Sequence, residues 1–230
     1  MRKPAYQFFS LDEYRQRVDA LRSRMTQRGV DAMLIHTPEN LYYLTGYQTP
    51  GYYSYQTLIM PLTTEPMFIA RHNEAVNVEP LTWVEQYRSW GDTDDWVAMT
   101  RDAIVDMGLS GKHIGLEQDS WFLTNRDEKR LIAMLPSTTF VDCSGFVEQG
   151  RVVKSPQEVA YMREAAKAAE AGIKAGIEAC EVGATENDVA AEVHRAQIKA
   201  GSEYTGLPAF IRSGVRARLG HATWYRKRLE

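Results

Sequence analysis

The sequence has few cysteines, no long apolar run and little net charge, and each of these shortages excludes a class of protein. Cys143 and Cys180 are the only cysteines in 230 residues, too few for a disulfide framework and without metal-ligand spacing. We therefore expect both to be buried as small apolar side chains in a reducing compartment. No stretch reaches the roughly 18 apolar residues that a membrane helix needs, and the N-terminus lacks the apolar run of a signal peptide.

The formal net charge is −3, so there is no basic field to bind nucleic acid or an anionic membrane. The sequence also lacks a glycine-rich phosphate loop, a G-x-S-x-G nucleophile elbow and an H-E-x-x-H zinc motif. None of the five histidines has a partner at zinc-ligand spacing, so we expect no metal site within these residues. A composition of 44% hydrophobic residues indicates a packed core. We expect a cytoplasmic protein that binds neither nucleic acid nor membranes.

Helix and strand patterns alternate over the first 150 residues or so. Ser10 predicts a capping box, and Gly29 ends the apolar stripe of this first helix. A buried strand (DAMLIH), a short helix from Pro38 and a hairpin of two strands around TTE follow. The pattern then predicts a strand, a helix capped by Asp92 or Thr93, and a further strand, helix and strand. This order predicts an α/β sandwich.

Two long helices dominate the rest of the chain. Ser155 with Glu158, and Thr185 with Asp188, predict a capping box at the start of each, and Gly201 ends the second. The buried seam of the first helix is predicted to contain Val159, Met162, Ala166, Ala169, Ile173, Ile177 and Cys180. The segment YTGLPAFIRSG that follows is predicted to be a strand. Two helices and one strand cannot bury their own apolar faces, so we expect an unfinished domain or a partner that supplies the rest.

His221 is the first candidate for chemistry. It follows RSGVRARLG, where Gly214 allows unusual backbone angles, and it precedes Trp224 and Tyr225, which could line a pocket. A neutral imidazole transfers protons near neutral pH. Three arginines nearby could bind a carboxylate, namely Arg216, Arg218 and Arg226. The alternative is a histidine in an ordinary surface loop.

The segment YQTPGYYSYQ is the second candidate. Tyr52 and Tyr53 either pack alternately into the core beside the following strand or form an aromatic loop that contacts a ligand or a second subunit. Among the other histidines, we expect His36 and His113 to be hydrogen-bonded structural residues and His194 to be solvated.

Three segments taken together resemble the creatinase/prolidase family of Xaa-Pro peptidases, family M24. They are SLDEYRQRVDALRSRMTQRGVDAMLIHTPENLYYLTGYQT, RVVKSPQEVAYMREAAKAA and RSGVRARLGHATWYRKRLE, which occur in the family's order and span nearly the whole chain. The resemblance implies a creatinase-type N-terminal α/β domain over residues 1–150. Residues 151–230 would then be the first part of an α+β pita-bread catalytic domain, incomplete here.

Within that family, the tyrosine loop and the ending GHATWYRKRLE are most similar to ectoine hydrolases. The resemblance implies a hydrolase that opens a cyclic amidine, with His221 as the catalytic proton-transfer residue and Tyr52, Tyr53 and Trp224 as substrate-binding residues. It also implies a small-molecule substrate and a homodimer. Metal-dependent members carry their ligands beyond the segment that matches here, so the resemblance implies no cofactor within this chain and leaves the metal content of the complete enzyme open. The alternatives are a metal-dependent Xaa-Pro peptidase and a non-catalytic dimerisation module, and we expect the 230-residue form to be inactive.

Overall fold

The computed structural model describes all residues, Met1–Glu230, and the chain divides into two compact units, Met1–Val153 and Lys154–Glu230. The first unit contains α1 (Leu11–Arg28), β1 (Ala32–Ile35), α2 (Pro38–Thr45), β2 (Gln56–Pro61), β3 (Met67–Arg71), α3 (His72–Ala75), α4 (Val78–Leu81), β4 (Gln86–Trp90), α5 (Trp96–Asp106), β5 (His113–Leu116), α6 (Asn125–Met134), β6 (Thr139–Asp142) and α7 (Phe146–Arg151). The second unit contains α8 (Pro156–Glu178), α9 (Glu186–Lys199) and a 3₁₀ helix (Gly214–Arg218). No helix is both long and apolar enough to cross a lipid bilayer.

A six-stranded sheet in the order β4-β3-β2-β1-β5-β6 forms the centre of the first unit. Strand β2 runs antiparallel to both of its neighbours, β1 and β3. The pairs β1–β5, β5–β6 and β3–β4 are parallel. The hairpin predicted around TTE is confirmed as β2–β3, and the predicted α/β architecture is confirmed with it.

Helices cover both faces of this sheet, because successive side chains of a strand point to opposite faces. Met33 and Ile35 of β1 belong to a core closed by α1, α2 and α7. Ala32 and Leu34 of the same strand belong to a second core closed by α5 and α6. A strand buried on both faces reads as a continuous apolar run, which is why AMLI was recognisable in the sequence.

Helix α1 begins and ends at the predicted residues, with the Ser10 half of the predicted capping box in place. The N–H of Glu13 donates to Ser10 Oγ at 3.1 Å, and Gly29 closes the helix in the left-handed region at φ 72°. Glycine adopts this conformation without the steric cost that a Cβ would bring. The stripe that the helix buries consists of Tyr14, Arg17, Val18, Leu21 and Met25.

Helix α5 begins later than predicted, and neither Asp92 nor Thr93 caps it. Asp95 is the N-cap, and its Oδ1 accepts hydrogen bonds from two backbone N–H groups of the first turn, both at 3.1 Å. Asp92 instead accepts two hydrogen bonds from the guanidinium of Arg71, at 2.7 and 2.9 Å. The three acidic residues of this loop compete for the cap, and the sequence alone does not identify the one that reaches the helix. The short helices α3, α4 and α7 were not predicted.

Both capping boxes of the second unit are confirmed. Glu158 N–H donates to Ser155 Oγ at 3.1 Å, and Ser155 N–H donates to Glu158 Oε2 at 2.7 Å. Thr185 and Asp188 make the same reciprocal pair at 3.2 and 2.8 Å. Each box satisfies two N–H groups that a helix start otherwise leaves without partners.

The predicted buried seam of α8 is wrong. The buried residues of α8 are Ala168, Gly172 and Gly176, and α9 packs on this small-residue face. The predicted aliphatic seam lies on exposed positions, with Ile177 70% exposed, and Cys180 is exposed as well. Close helix packing favours small side chains because they let the backbones approach, and no element of the second unit covers the aliphatic face.

The strand predicted for YTGLPAFIRSG is also wrong. Residues 204–213 form neither helix nor strand, and the second unit contains only an isolated bridge between Thr185 and Arg228. An extended segment becomes a strand only when a neighbour accepts and donates its backbone hydrogen bonds, and the second unit offers none.

Candidate functional site

The C-terminal segment of the second unit is tied to the turn that precedes α9. Gly183 N–H donates to the carbonyl oxygen of Leu229 at 3.0 Å, and Leu229 N–H donates to that of Ala184 at 2.8 Å. Glu186 N–H donates to the carbonyl oxygen of Lys227 at 2.9 Å. These bonds place the segment that contains His221 beside the start of α9.

The side chain of Glu186 is the centre of this arrangement. It is fully buried, and its Oε1 accepts from both the N–H and the hydroxyl of Ser213, at 2.8 and 2.9 Å. Its Oε2 accepts from the N–H of Tyr225 at 2.9 Å and from Nη1 of Arg216. One carboxylate therefore binds three residues that lie 27 to 39 positions further along the chain.

Electrostatics hold Glu186 in its charged form. Burial raises the pKa of Glu186, but the hydrogen bonds from Tyr225, Ser213 and Arg216 outweigh that effect, so the pKa lies below its usual value. The position of Glu186 at the first residue of α9 adds the favourable end of the helix dipole. The carboxylate is thus ionised at neutral pH, and every hydrogen bond it accepts is charge-assisted.

Arg216 is not available to bind a substrate, although the sequence made it one of three candidates. Its guanidinium pairs with Glu186, donates to the carbonyl oxygen of Thr223 at 2.7 Å and stacks on the ring of Tyr225 at 3.9 Å from the ring centroid. Arg218 and Arg226 are exposed and form no ion pair, so they stay candidates for a carboxylate.

His221 lies on the loop that begins and ends at these Glu186 contacts. It is the one non-glycine residue with positive φ, 48°, and its exposed ring lies 5.3 Å from that of Phe210. The ring nitrogens make no hydrogen bond within the chain, so they are free to meet a ligand. Histidine is among the residues that adopt the left-handed region more readily than most.

Trp224 closes the same loop. It is half-buried and packs edge-to-face on His194, with ring centroids 5.4 Å apart. His194 was expected to be solvated, and it is half-buried because Trp224 covers it. The second unit therefore brings His221 and Trp224 onto one short loop.

The tyrosine loop lies in the first unit, and Tyr52 and Tyr53 are exposed rather than packed into the core; their contact with a ligand or a second subunit stays a prediction. Tyr55 packs against the core beneath α5, while Tyr52 and Tyr53 are 39% and 78% exposed. Tyr52 packs edge-to-face on Phe122 at 5.9 Å, and the neighbouring Trp121 is 93% exposed. Two loops thus present an exposed aromatic surface at this end of the unit.

Hydrogen bonds hold the base of that loop. The side chain of Glu74 accepts from the hydroxyl of Thr49, which in turn accepts from the N–H of Gly51 at 2.9 Å. A Cβ on Gly51 would come within 2.3 Å of the Glu74 carboxylate, so a larger residue there would require the Glu74 side chain to move. The hydroxyl of Tyr47 donates to the carbonyl oxygen of Glu74 at 3.1 Å.

A buried carboxylate also organises the carboxyl ends of β1 and β5, where open α/β sheets commonly bind ligands. Glu117 accepts from the N–H groups of His36 and Thr37 at 2.8 and 2.9 Å and from the amide of Asn40 at 2.6 Å. Burial raises the pKa of Glu117, and these hydrogen bonds partly offset the rise. The carboxylate occupies the start of α2, so we assign this cluster to the fold. No motif in the sequence predicted this cluster.

The chain has no group of three or more His, Cys, Asp or Glu side chains placed to hold a metal ion. A shallow depression of about 230 Å³ in the first unit includes none of the four predicted site residues; it is lined by Arg24, Gln27, Arg28, Phe146 and Gln149. Neither observation adds a residue to the two candidate loops.

Two family models match the chain. The creatinase/prolidase N-terminal domain matches residues 17–153, which is more than half of the chain, and metallopeptidase family M24 matches residues 160–230.

Curated relatives match along nearly all of the chain. An uncharacterized hydrolase/peptidase, y4tM, of Sinorhizobium fredii is 32% identical over 235 residues, covering 96% of this chain and 60% of its own length. The ectoine hydrolase of Halomonas elongata is 27% identical over 235 residues, covering 94% of this chain and 59% of its own. The chain therefore spans about 60% of the length of these relatives.

Solved structures share the fold. The X-Pro aminopeptidase of Thermotoga maritima superposes with a TM-score of 0.79 at 20% identity, over 93% of this chain and 57% of its own. The Xaa-Pro dipeptidase of Bacillus anthracis gives a TM-score of 0.77 at 19% identity, over 94% and 58%. The fold class expected from the sequence is confirmed by these neighbours and by the family models.

Proposed function

The chain belongs to the creatinase/M24 family, in which a creatinase/prolidase N-terminal domain precedes an M24 domain, and from this premise we propose that it is a hydrolase of a non-peptide carbon–nitrogen bond. The proposed substrate is the cyclic amidine ring of ectoine. The observation that carries the proposal is the 27% identity to ectoine hydrolase over 94% of the chain. The product of ring opening is an acetylated diaminobutyrate.

His221 is the proposed catalytic residue. Water adds to the amidine carbon, one carbon–nitrogen bond of the resulting tetrahedral adduct breaks, and a proton goes to the departing nitrogen. A positioned imidazole can accept the proton of water and deliver it to that nitrogen, which is typically worth about 10²–10⁴-fold. Its support in the molecule is an exposed ring with no internal hydrogen bond on a loop fixed at both ends.

The zwitterionic substrate has a carboxylate and a delocalised cation, and each needs a partner. We assign the carboxylate to Arg218 on the loop or to Arg226 just after it, neither of which binds Glu186. The cationic ring is assigned to the aromatic face of Trp224 and, from a second copy of the chain, to Tyr52 and Tyr53, since cation–π contact favours such groups.

We further propose that the protein acts as a homodimer in which the tyrosine loop contacts a second copy. The exposure of Tyr53 and Trp121 supports this, since large aromatic side chains are enriched at protein interfaces. Sedimentation of the natural protein tests the proposal, and a monomer at all concentrations would contradict it.

The second unit is proposed to be the opening part of a pita-bread catalytic domain. The support is the match of residues 160–230 to the M24 model, together with the uncovered aliphatic face of α8. That face includes Met162 at 57%, Ile173 at 64% and Ile177 at 70% exposure.

A metal-dependent Xaa-Pro peptidase is the second candidate, favoured by the description of the M24 model as a metallopeptidase family. Metal analysis of the natural protein separates the two. Two bound transition-metal ions per chain, with turnover of an Xaa-Pro dipeptide but not of ectoine, would favour the peptidase over our proposal.

The direct test is substitution of His221 in the natural protein. His221→Asn is the variant of choice because asparagine tolerates positive φ, so the loop keeps its conformation while the imidazole is lost. We expect ectoine turnover to fall at least about 10²-fold, with little change in thermal unfolding. His72→Asn, which removes an exposed imidazole of the first unit, serves as the control. Unchanged turnover in His221→Asn would remove His221 from the mechanism.

A further inference from the structure

The loop that carries His221 is fastened at both ends to one side chain. Ser213, which precedes the loop, donates two hydrogen bonds to Oε1 of Glu186, and Tyr225, which follows it, donates one to Oε2. The eleven intervening residues make a closed loop whose two ends meet on a single carboxylate. We propose that Glu186 is a positioning residue for His221; the catalytic consequence of this inference rests on the proposed function.

The contacts of Glu186 separate this role from simple helix capping. Helix α9 already has a complete capping box in Thr185 and Asp188, which satisfies the N–H groups of these two residues. Both carboxylate oxygens of Glu186 accept only from the loop. The side chain therefore holds the loop to the helix, and α9 does not need it for its own start.

The neighbouring cation makes the arrangement sensitive to loss of charge. Arg216 is only 13% exposed and pairs with Glu186, and it also donates to the carbonyl oxygen of Thr223. Removing the negative charge leaves a poorly solvated guanidinium without its counter-charge, which costs far more than losing an exposed ion pair. The loop is then expected to detach at both ends.

Glu186→Gln tests the inference in the 230-residue chain. The amide keeps the shape of the side chain, but one of its two oxygens is replaced by an NH₂ group. That group is a hydrogen-bond donor and faces the donors of Ser213, Arg216 or Tyr225. We expect hydrogen exchange of the Ser213 and Tyr225 amides to accelerate about 10- to 100-fold, as for loss of a hydrogen bond to a charged group. Amides of the first unit, such as that of His36, should keep their rates.

The signal that reports on His221 itself is its imidazole proton resonance. Because the ring lies 5.3 Å from Phe210, its chemical shift carries a ring-current contribution that depends on the loop conformation. We expect the resonance to move towards the value of an unstructured histidine in Glu186→Gln. The matched control is Asp188→Asn, which weakens the cap of the same helix and should leave the resonance in place.

Ser213→Ala is the second variant, for use if Glu186→Gln does not fold. It removes one donor to Oε1 and keeps the backbone N–H, so exchange should accelerate at Ser213 with Tyr225 still protected. Wild-type exchange at both amides, or an unmoved His221 resonance in a folded Glu186→Gln, would overturn the inference. Absence of ectoine turnover by the natural protein would overturn the proposed function and leave these two readouts to decide the role of Glu186. If turnover is present, Glu186→Gln should lower kcat at least about tenfold with KM within about twofold.

Discussion

His36 lies at the end of β1 with its ring fully buried. Its Nδ1 is 3.0 Å from the carbonyl oxygen of Gln56, and its Nε2 has no hydrogen-bond partner. Burial lowers the pKa of His36 to about 4, and the Gln56 carbonyl and the charge of Asp127 offset this only in part. An unfolded histidine titrates near 6.5, so between pH 4 and 6.5 the unfolded chain binds a proton that the folded chain does not.

This difference predicts an acid-sensitive first unit. The free energy of unfolding should be insensitive to His36 above pH 6.5 and should fall by about 3 kcal/mol as the pH drops through 6.5 to 4. His36→Gln removes the titrating group and should flatten that part of the profile. Urea unfolding at a series of pH values, followed through tryptophan fluorescence, to which the buried Trp83 contributes, measures both. If the free energy of unfolding depends on pH in the same way in the wild type and in His36→Gln, His36 is not the titrating group. The raised pKa of Glu117 acts in the opposite direction, but it is present in both proteins and so cancels from the difference between them.

Single residues were predictable from the sequence where a local rule applied. Ser10, Gly29, Ser155 and Thr185 were identified because caps depend on neighbours three or four positions away. Glu186 was missed because its partners lie far along the chain, and an acidic residue in the first turn of a helix is common for reasons of the helix dipole alone. The context of His221 made it a candidate, which stays a prediction, whereas nothing in the sequence indicated the carboxylate that holds its loop.

Among the elements, the contact between α8 and α9 depends on two glycines that differ in their surroundings. A Cβ on Gly176 would lie 2.8 Å from Cγ2 of Val193, and a valine on a helix has essentially one allowed rotamer. A Cβ on Gly172 would lie 2.7 Å from Cγ of Gln197, a side chain with several rotatable bonds that can move away. Both glycines lie on α8 and face α9, but the side chain opposite Gly172 can change conformation and the one opposite Gly176 cannot.

Alanine substitutions at these positions should therefore diverge. Replacing glycine by alanine inside a helix gains roughly 0.8–1 kcal/mol of helix propensity, whereas overpacking costs typically 1–3 kcal/mol. Gly172→Ala should be neutral or slightly stabilising, and Gly176→Ala should be less stable than Gly172→Ala by about 1–2 kcal/mol. Thermal unfolding of the two variants side by side is the measurement. Equal stability, or the reverse order, would show that α8 and α9 do not approach this closely.

The helices and strands were predicted best where their periodicity reflects burial within the first unit. The prediction failed for α8 because an apolar stripe indicates that the surface is covered but does not identify the element that covers it. In this unit α9 takes the small-residue face with Gly172 and Gly176, and Ile173 and Ile177 stay exposed. The same reason explains the strand expected at YTGLPAFIRSG, which has strand-like composition and no neighbour to pair with.

Across the whole molecule, the two units differ sharply in how much apolar side chain they bury. Both core clusters lie entirely within Met1–Val153. In Lys154–Glu230 the buried apolar side chains are only Ala168, Val189, Ala190 and Val193. At roughly 25 cal/mol per Å² of buried apolar surface, the stability of the second unit must depend far more on helix caps and on the Glu186 hydrogen bonds.

Hydrogen exchange along the 230-residue chain should reveal this asymmetry. Local opening free energies follow the density of buried apolar contacts, so the amides of β1, β2 and β5 should exchange only through global unfolding of their unit. The amides of α8 and α9 should exchange through a separate opening of lower free energy, and mild denaturant should release them first. Peptide-resolved exchange at increasing urea concentration separates the two processes. A single opening free energy for both units would contradict this prediction. It would mean that the exposed aliphatic face of α8 does not lower the stability of the second unit, and that contacts other than those within the unit stabilise it.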